Sequence, residues 1–330
     1  MKRSIAAGAC LALMGSLAMA GGEGWSSDFE AAKKQAAEGK MDLLIDFTGS
    51  DWCGWCIKLV DEVFSKDAFK SGVKGKFVLV ELDFPRDEAK LDDKTKAQNA
   101  KLQEQFGIQG FPTIVLADAE GRPYASTGYQ EGGPEKYVGH LDELRKKRGV
   151  RDEALAKAGK AEGVEKAEAL LAALDGLSDE MIAGCYGGVI EQIKAADPDD
   201  KTGFAKRAGQ KAAMAEIEEK IGEFFQKEDL DGALAYVDKA VAEKGLEGET
   251  KQQAMAMKII LRANQGKFDE ALKTLEEVKA IAPDSELAGQ LDGFRGRLEE
   301  AKAEKEKKGA GEPEMPAEKA AEKPADKAAE

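Results

Sequence analysis

The chain has 330 residues, 42% of them hydrophobic and 34% charged, and its 63 Asp and Glu outnumber 49 Lys and Arg to give a formal charge of −14. So negative a chain is a poor partner for nucleic acid or an anionic membrane surface. A structural zinc site usually takes two spaced pairs of Cys or His, and beyond Cys53 and Cys56 the sequence has only Cys10, Cys185 and His140, which make no second pair.

At the N-terminus, Lys2 and Arg3 precede an Ala/Leu-rich run, Ile5 to Leu17, and Ala18-Met19-Ala20 fits a small-x-small cleavage site. This is the pattern of a secretory signal peptide, 1–20, removed before Gly21. Cys10 lies inside the apolar run, with too few residues before it for a lipoprotein site, and the Gly/Ala/Ser-rich stretch suits an uncleaved anchor poorly. The expected location is periplasmic or secreted. Loss of Lys2 and Arg3 takes the formal charge to −16, three cysteines remain, and no second long apolar run predicts a membrane span.

Met41 to Phe47 reads as a strand, and Trp52-Cys53-Gly54-Trp55-Cys56 follows it with two thiols two residues apart. If Cys53 heads a helix, unpaired backbone N–H groups and the positive helix end favour its thiolate, the form that attacks disulfides. Cys56 lies one turn on, within reach to close a disulfide. Ile57 stands where a c-type haem attachment needs His. A purely structural disulfide closes too small a loop to restrict the unfolded chain much. The redox pair is the reading adopted, with a structural disulfide and a metal pair as alternatives.

Further along, Phe77 to Leu82 and Thr113 to Leu116 are short, β-branched and apolar, as buried strands are, and Lys94 to Phe106 between them is helix-prone. Ala119-Glu120-Gly121 is a turn signal. Tyr124 to Tyr129 then suits an antiparallel edge strand, and Pro134 to Lys147 an amphipathic helix with Pro in its first turn. Strands interleaved with helices imply an α/β fold with a partly parallel sheet.

From about Ser26 to about Gly149 these residues resemble the thioredoxin superfamily, in particular exported bacterial members with the Gly-Ser-Asp-Trp-Cys-x-x-Cys signature seen at Gly49 to Cys56. Phe106-Gly107-Ile108-Gln109-Gly110-Phe111-Pro112-Thr113 is similar to that family's segment leading into its cis-proline. The resemblance implies a thioredoxin-like mixed sheet flanked by helices, a cis Pro112 beside the Cys pair, and backbone groups there free to meet a substrate strand. It also implies that Asp46 is the buried acid that accepts the resolving thiol's proton, although one more residue separates it from the first Cys than in ordinary thioredoxins. The lysine that often partners this acid is replaced here by Glu81. Two nearby carboxylates would raise one another's pKa and suit a proton shuttle; alternatively Glu81 faces solvent. Gly54-Trp55 replaces the usual Gly-Pro, so the direction of electron flow is not inherited.

Past Gly149 the chain turns to Ala, Glu, Lys and Leu and reads as all-α, with helices over Arg151 to Leu174 and Ser178 to Ala195. Cys185, among small residues, reads as a small buried hydrophobe, with intermolecular pairing as the alternative. Leu230, Ala233, Leu234, Val237 and Ala240 form one apolar stripe, and Phe268, Ala271, Leu272, Leu275 and Val278 a second, 38 residues on. Helix-prone stretches, Gln210 to Lys227 and Lys251 to Gln265, precede them, and Ser285 to Ala303 follows as a capping helix. The second stripe, within Gly266 to Pro283, resembles the second helix of a tetratricopeptide repeat; a plain helical bundle is the alternative. The tail, 304–330, is rich in Lys, Glu, Ala and Pro and expected to be disordered.

The expected organisation is a thioredoxin-like domain, 21–150, followed by a helical domain, 151–303. The expected activity is an exported thiol–disulfide oxidoreductase in which Cys53 attacks, Cys56 resolves, and Pro112 and Asp46 complete the site. Its partners are protein disulfides or thiols, a redox partner, and a protein on the helical domain; no cofactor is needed. The alternative is a non-catalytic binding module of the cell envelope.

Overall fold

The structure, a computed structural model, describes residues 24–308. The expected signal peptide and residues 309–330 of the expected tail lie outside them. The chain forms two compact units, divided between Thr202 and Gly203.

The first unit opens with β1 (Trp25–Ser26), α1 (Phe29–Gly39), β2 (Asp42–Thr48) and α2 (Gly54–Leu59), which runs on through a π-helical turn, Val60–Phe64. Then come α3 (Asp67–Val73), β3 (Phe77–Asp83), α4 (Asp93–Phe106), β4 (Thr113–Ala117), β5 (Pro123–Thr127) and α5 (Gly133–Ala158). The sheet order is β1-β3-β2-β4-β5; β3 runs parallel to β1 and β2, while β4 is antiparallel to both β2 and β5. This is the mixed thioredoxin-like sheet expected from the strand–helix order. The sequence reading had no counterpart for β1, α1 or α3, which are short or Ala/Lys-rich and carry little apolar periodicity.

Both faces of β2 are buried, and the pleat separates its side chains by parity. Leu44 joins Leu59, Phe64, Phe69, Ile114 and Tyr137 on the face covered by α2, α3 and α5. Leu43, Ile45 and Phe47 join Phe29, Ala32, Leu102 and Phe106 on the face covered by α1 and α4. Each fully buried Leu, Ile or Phe here contributes about 1.5–3 kcal/mol before chain entropy is counted. Side-chain caps set the helix starts: Asp28 accepts from Ala31 N–H, and Asp92 from Thr95 N–H, each at 2.9 Å. Gly107, at φ +63°, ends α4 in the left-handed region.

The first unit continues beyond Gly149. α5 passes through that position without a break, and α6 (Gly163–Ala173), α7 (Asp179–Cys185) and α8 (Gly187–Ala196) follow. Met181 enters the core beside Phe106. Arg151 is buried and pairs its Nη2 with Asp118 Oδ2 at 2.8 Å, while Tyr186 Oη donates to the Pro123 carbonyl at 2.5 Å. Asp118 is buried at the β4–β5 turn, and Arg151 from α5 shares its neutralisation with Arg122 of the turn itself. The division at Thr202 therefore differs from the expected one at 150, because α5 to α8 complete the surroundings of the β4–β5 hairpin and α4.

The second unit holds α9 (Phe204–Gln226), α10 (Leu230–Glu243), α11 (Gly248–Asn264), α12 (Phe268–Ile281) and α13 (Glu286–Lys308). Ala233, Val237 and Ala240 are buried against α9 and α11, and Phe268, Ala271, Leu275 and Val278 against α11 and α13. α13 runs to Lys308, past the expected start of the tail at 304.

Candidate active site

The thiols lie where β2 hands over to α2. Cys53 is the N-cap of α2, in extended conformation, and its Sγ accepts from the Cys56 N–H at 3.2 Å. A cap position lacks an intrahelical partner for its neighbours' N–H groups, so the sulfur takes the place of the usual Ser or Asp oxygen. Cys53 and Cys56 are joined as a disulfide, both largely buried, at 6% and 2% exposure. Around them the surface is apolar and open: Trp52, Trp55 and Ile57 are 39%, 58% and 42% exposed.

Two flanks frame the thiols. On one, the Phe111–Pro112 peptide bond is cis, immediately before β4 at Thr113. Phe111 packs edge-on against Trp52, with ring centroids 5.8 Å apart, and lies against Phe84 at 5.2 Å. The Trp52 indole N–H donates to the Phe84 carbonyl at 2.8 Å. Asp51 holds the same loop by accepting from Arg86 N–H, Asp87 N–H and Lys90 Nζ. These donors, the Arg86 amide first, lower its carboxyl to a pKa of about 2. On the other flank, Trp55 meets Tyr129 at 5.2 Å, Lys58 Nζ sits over both rings, and Tyr129 Oη donates to Glu62.

Beneath the helix lie carboxylates. Asp46 shares the Leu44 parity of β2, and Glu81 the Leu79 parity of β3, so both point to the face that α2 covers. They stand directly opposite each other in the β2–β3 register and are 1% and 3% exposed. Burial holds the Asp46 carboxyl well above the usual carboxylate range, and the charges of Glu81 and Asp83 push it further. Asp46 Oδ1 is buried without a hydrogen-bond partner among the described residues. Asp83, next on this face, is engaged by Ser50, whose N–H and Oγ–H donate to its two oxygens at 2.9 and 2.6 Å.

The chain matches the model of the thioredoxin-like domain over residues 29–144. It is 36% identical over 124 residues to the disulfide bond reductase DsbH of Chlamydia pneumoniae, covering 38% of this chain and 74% of that protein. The chain belongs to the thioredoxin-like family. A second relative of this thioredoxin-like chain, the thioredoxin-related protein DsbJ of the same organism, is 34% identical over 98 residues, 30% of this chain and 28% of that protein. A solved DsbH oxidoreductase is matched at TM-score 0.36 and 32% identity, over 37% of this chain and 83% of that one.

Of the residues singled out in the sequence, Cys53 and Cys56 are bonded, Pro112 stands beside the Trp52 flank, and Asp46 pairs with Ile114, two residues past Pro112. Glu81 is buried rather than solvent-facing. Cys185 is half-buried on α7, its thiol donating to the Gln105 carbonyl at 3.4 Å. The loop held by Asp51 and the Trp55–Tyr129–Lys58–Glu62 cluster had not been singled out. Asp51 sits next to the motif, but its partners lie 35 to 39 residues away, a distance no local pattern signals. Among the described residues no group of His, Cys, Asp and Glu could hold a metal ion, and no helix is long and apolar enough to cross a membrane.

Proposed function

We propose that this chain is an exported thiol–disulfide oxidoreductase that reduces protein disulfides. The observation that carries the reading is the Cys53–Cys56 disulfide at the N-terminus of α2 with an apolar, exposed surround and a buried acid beneath. In the reduced protein the Cys53 thiolate, favoured by the helix N-terminus and the Cys56 N–H, attacks one sulfur of a substrate disulfide and the other leaves as a thiolate. Cys56 gives its proton to Asp46 and attacks Cys53 Sγ, which releases the second substrate thiolate. Two electrons have passed to the substrate and the Cys53–Cys56 disulfide remains, to be reduced by a dithiol donor. Pro112 and Phe111 shape the surface on which the substrate lies, and Trp52, Trp55 and Ile57 supply its apolar contact.

The reductive direction draws support from the name of the related DsbH. Export rests on the leader pattern before Gly21. The second unit serves as a protein-binding array. α10 and α12 begin and end 38 residues apart, and α11 and α13 begin 38 residues apart, which supports a repeat of helix pairs.

The test is a glutathione redox titration together with insulin reduction. A reduction potential below about −200 mV, nearer thioredoxin than the oxidant DsbA, and turnover abolished by Cys53→Ser are expected. A potential near about −120 mV would overturn the reductive direction. A folded protein that turns over no disulfide substrate would leave a binding module.

A further inference from the structure

The two tryptophans that flank the thiols each carry a cation, and the two cations differ in their surroundings. On the Trp55 flank, Lys58 Nζ lies 5.1 Å from the Trp55 ring centroid and 4.9 Å from that of Tyr129, with Glu62 Oε1 3.9 Å away. Its pKa is raised by Tyr129 first, then by the charges of Glu62 and Glu131, and Asp61 is exposed on the π-helical turn. Acidic groups therefore offset the cation there. On the Trp52 flank, the exposed Arg86 guanidinium lies 5.6 Å from the Trp52 ring centroid and has no ion-pair or hydrogen-bond partner among the described residues. The carboxylates of its loop and of the segment that holds it are engaged elsewhere. Asp51 accepts from the Arg86 and Asp87 N–H groups and Lys90 Nζ, Asp87 from Ala89 N–H, and Asp83 from Ser50, while Glu88 faces Lys96 at 3.7 Å.

Arg86 is also held in place. Trp52, its platform, donates its indole N–H to the Phe84 carbonyl, meets Phe111 edge-on, and lies so close over Gly49 that a Cβ there would run into the indole. The Arg86 backbone is fixed by its N–H bond to Asp51 at 2.9 Å. A guanidinium on a ring face keeps its N–H fork for a further ligand, and a carboxylate fits that fork with two parallel bonds. Phe111 precedes the cis Pro112, so the platform borders the surface on which a substrate segment lies in the reading above. The net charge of −14 does not oppose an acidic ligand here, because at physiological salt exposed charges more than about 8 Å apart are largely screened. We propose that Arg86, on its Trp52 platform, binds a carboxylate beside the substrate cysteine, so that the protein prefers disulfide segments with an Asp or Glu on the Trp52 side of that cysteine. The proposal rests on the thiol-exchange reading and names a substrate class for it. Arg86 is a specificity residue and takes no part in the exchange itself.

The test uses the reduced full chain and synthetic peptides with a single cysteine, each held as a mixed disulfide with 2-mercaptoethanol. Glu, Gln or Lys is placed two positions before or two positions after the cysteine. At one of these two positions the Glu peptide should be reduced about tenfold faster than the Lys peptide at low ionic strength, with the ratio falling to about two- or threefold in high salt. Arg86→Gln should bring that ratio close to one, and Arg86→Glu should invert it. A merely structural Arg86 would lower the rates of all peptides together and leave the ratio intact. A ratio near one at both positions in the unsubstituted protein, an equal Glu preference at both, or a preference that survives Arg86→Gln overturns the proposal while turnover of the peptides sustains the proposed function. A folded protein that reduces none of the peptides overturns the thiol-exchange reading and the proposal with it. If Arg86→Gln does not fold, the position and salt dependence of the unsubstituted protein decide.

Discussion

Cys185 donates its thiol to the Gln105 carbonyl from a half-buried position, and burial pushes its pKa up to about 11, whereas Cys53 heads a helix whose unpaired N–H groups favour the thiolate. Their reactivities should therefore diverge. At mildly acidic pH an alkylating reagent should modify reduced Cys53 fastest and Cys185 slowest, the latter reacting mainly after unfolding; equal rates followed by mass spectrometry would contradict both assignments. Asp51 gives a residue-scale prediction of opposite sign. Its carboxyl is lowered to about 2 by the Arg86 amide and Lys90, so the stability it contributes is present above the ordinary pKa of about 4 and is lost as pH falls towards 2. Asp51→Asn should thus cost stability near neutral pH and progressively less in acid, as urea midpoints at several pH values would show. A pH-independent cost would mean that the charge of Asp51 does not hold the Phe84–Lys90 loop.

Docking of α7 onto the C-terminal end of α4 depends on two glycines. A Cβ built at Gly184 would run into the Gln105 carbonyl oxygen, and one at Gly107 into the Glu180 side chain. Gly107 also sits at φ +63°, where side chains other than glycine are strained. Gly184→Ala should cost about 1–3 kcal/mol, since the helix must move away from backbone. Cys185, which leans on the same carbonyl, is the reporter: its alkylation should accelerate in the variant, and an unchanged rate and unchanged denaturation midpoint would show that α7 does not pack as described. This contact also marks where sequence reading stops. The runs Met41–Phe47 and Phe77–Leu82 announce buried strands through their composition, and Cys53-x-x-Cys56 and Phe111-Pro112 announce the site through their chemistry. Gly107 and Gly184 look like ordinary turn or helix residues until the helices are brought together. Glu81 is buried because both faces of β3 are covered, which the apolar run alone does not fix, and its parity decides only that it points to the face beneath α2.

At the scale of the whole chain, the change of composition after Gly149 is visible in the sequence, yet the compact division falls at Thr202. Composition reports helix-forming tendency, while the division depends on which surfaces those helices cover. A fragment ending at 150 would lose Arg151, the buried partner of Asp118, and Met181, which fills the core beside Phe106. Breaking a buried pair by removing one partner costs several kcal/mol, although Arg122, 2.9 Å from Asp118, offsets part of that loss here. Residues 21–202 should therefore unfold cooperatively and reduce a small generic disulfide, since exchange needs only Cys53, Cys56 and their surroundings; residues 21–150 should be markedly less stable in urea. If the helices after Thr202 select partners, Cys56→Ser, which traps mixed disulfides at Cys53, should recover fewer or different cellular proteins from 21–202 than from the full chain. Identical partner sets would place selection at the Trp52–Trp55 surface of the first unit. Loss of generic activity from 21–202 would instead make the second unit part of the catalytic machinery.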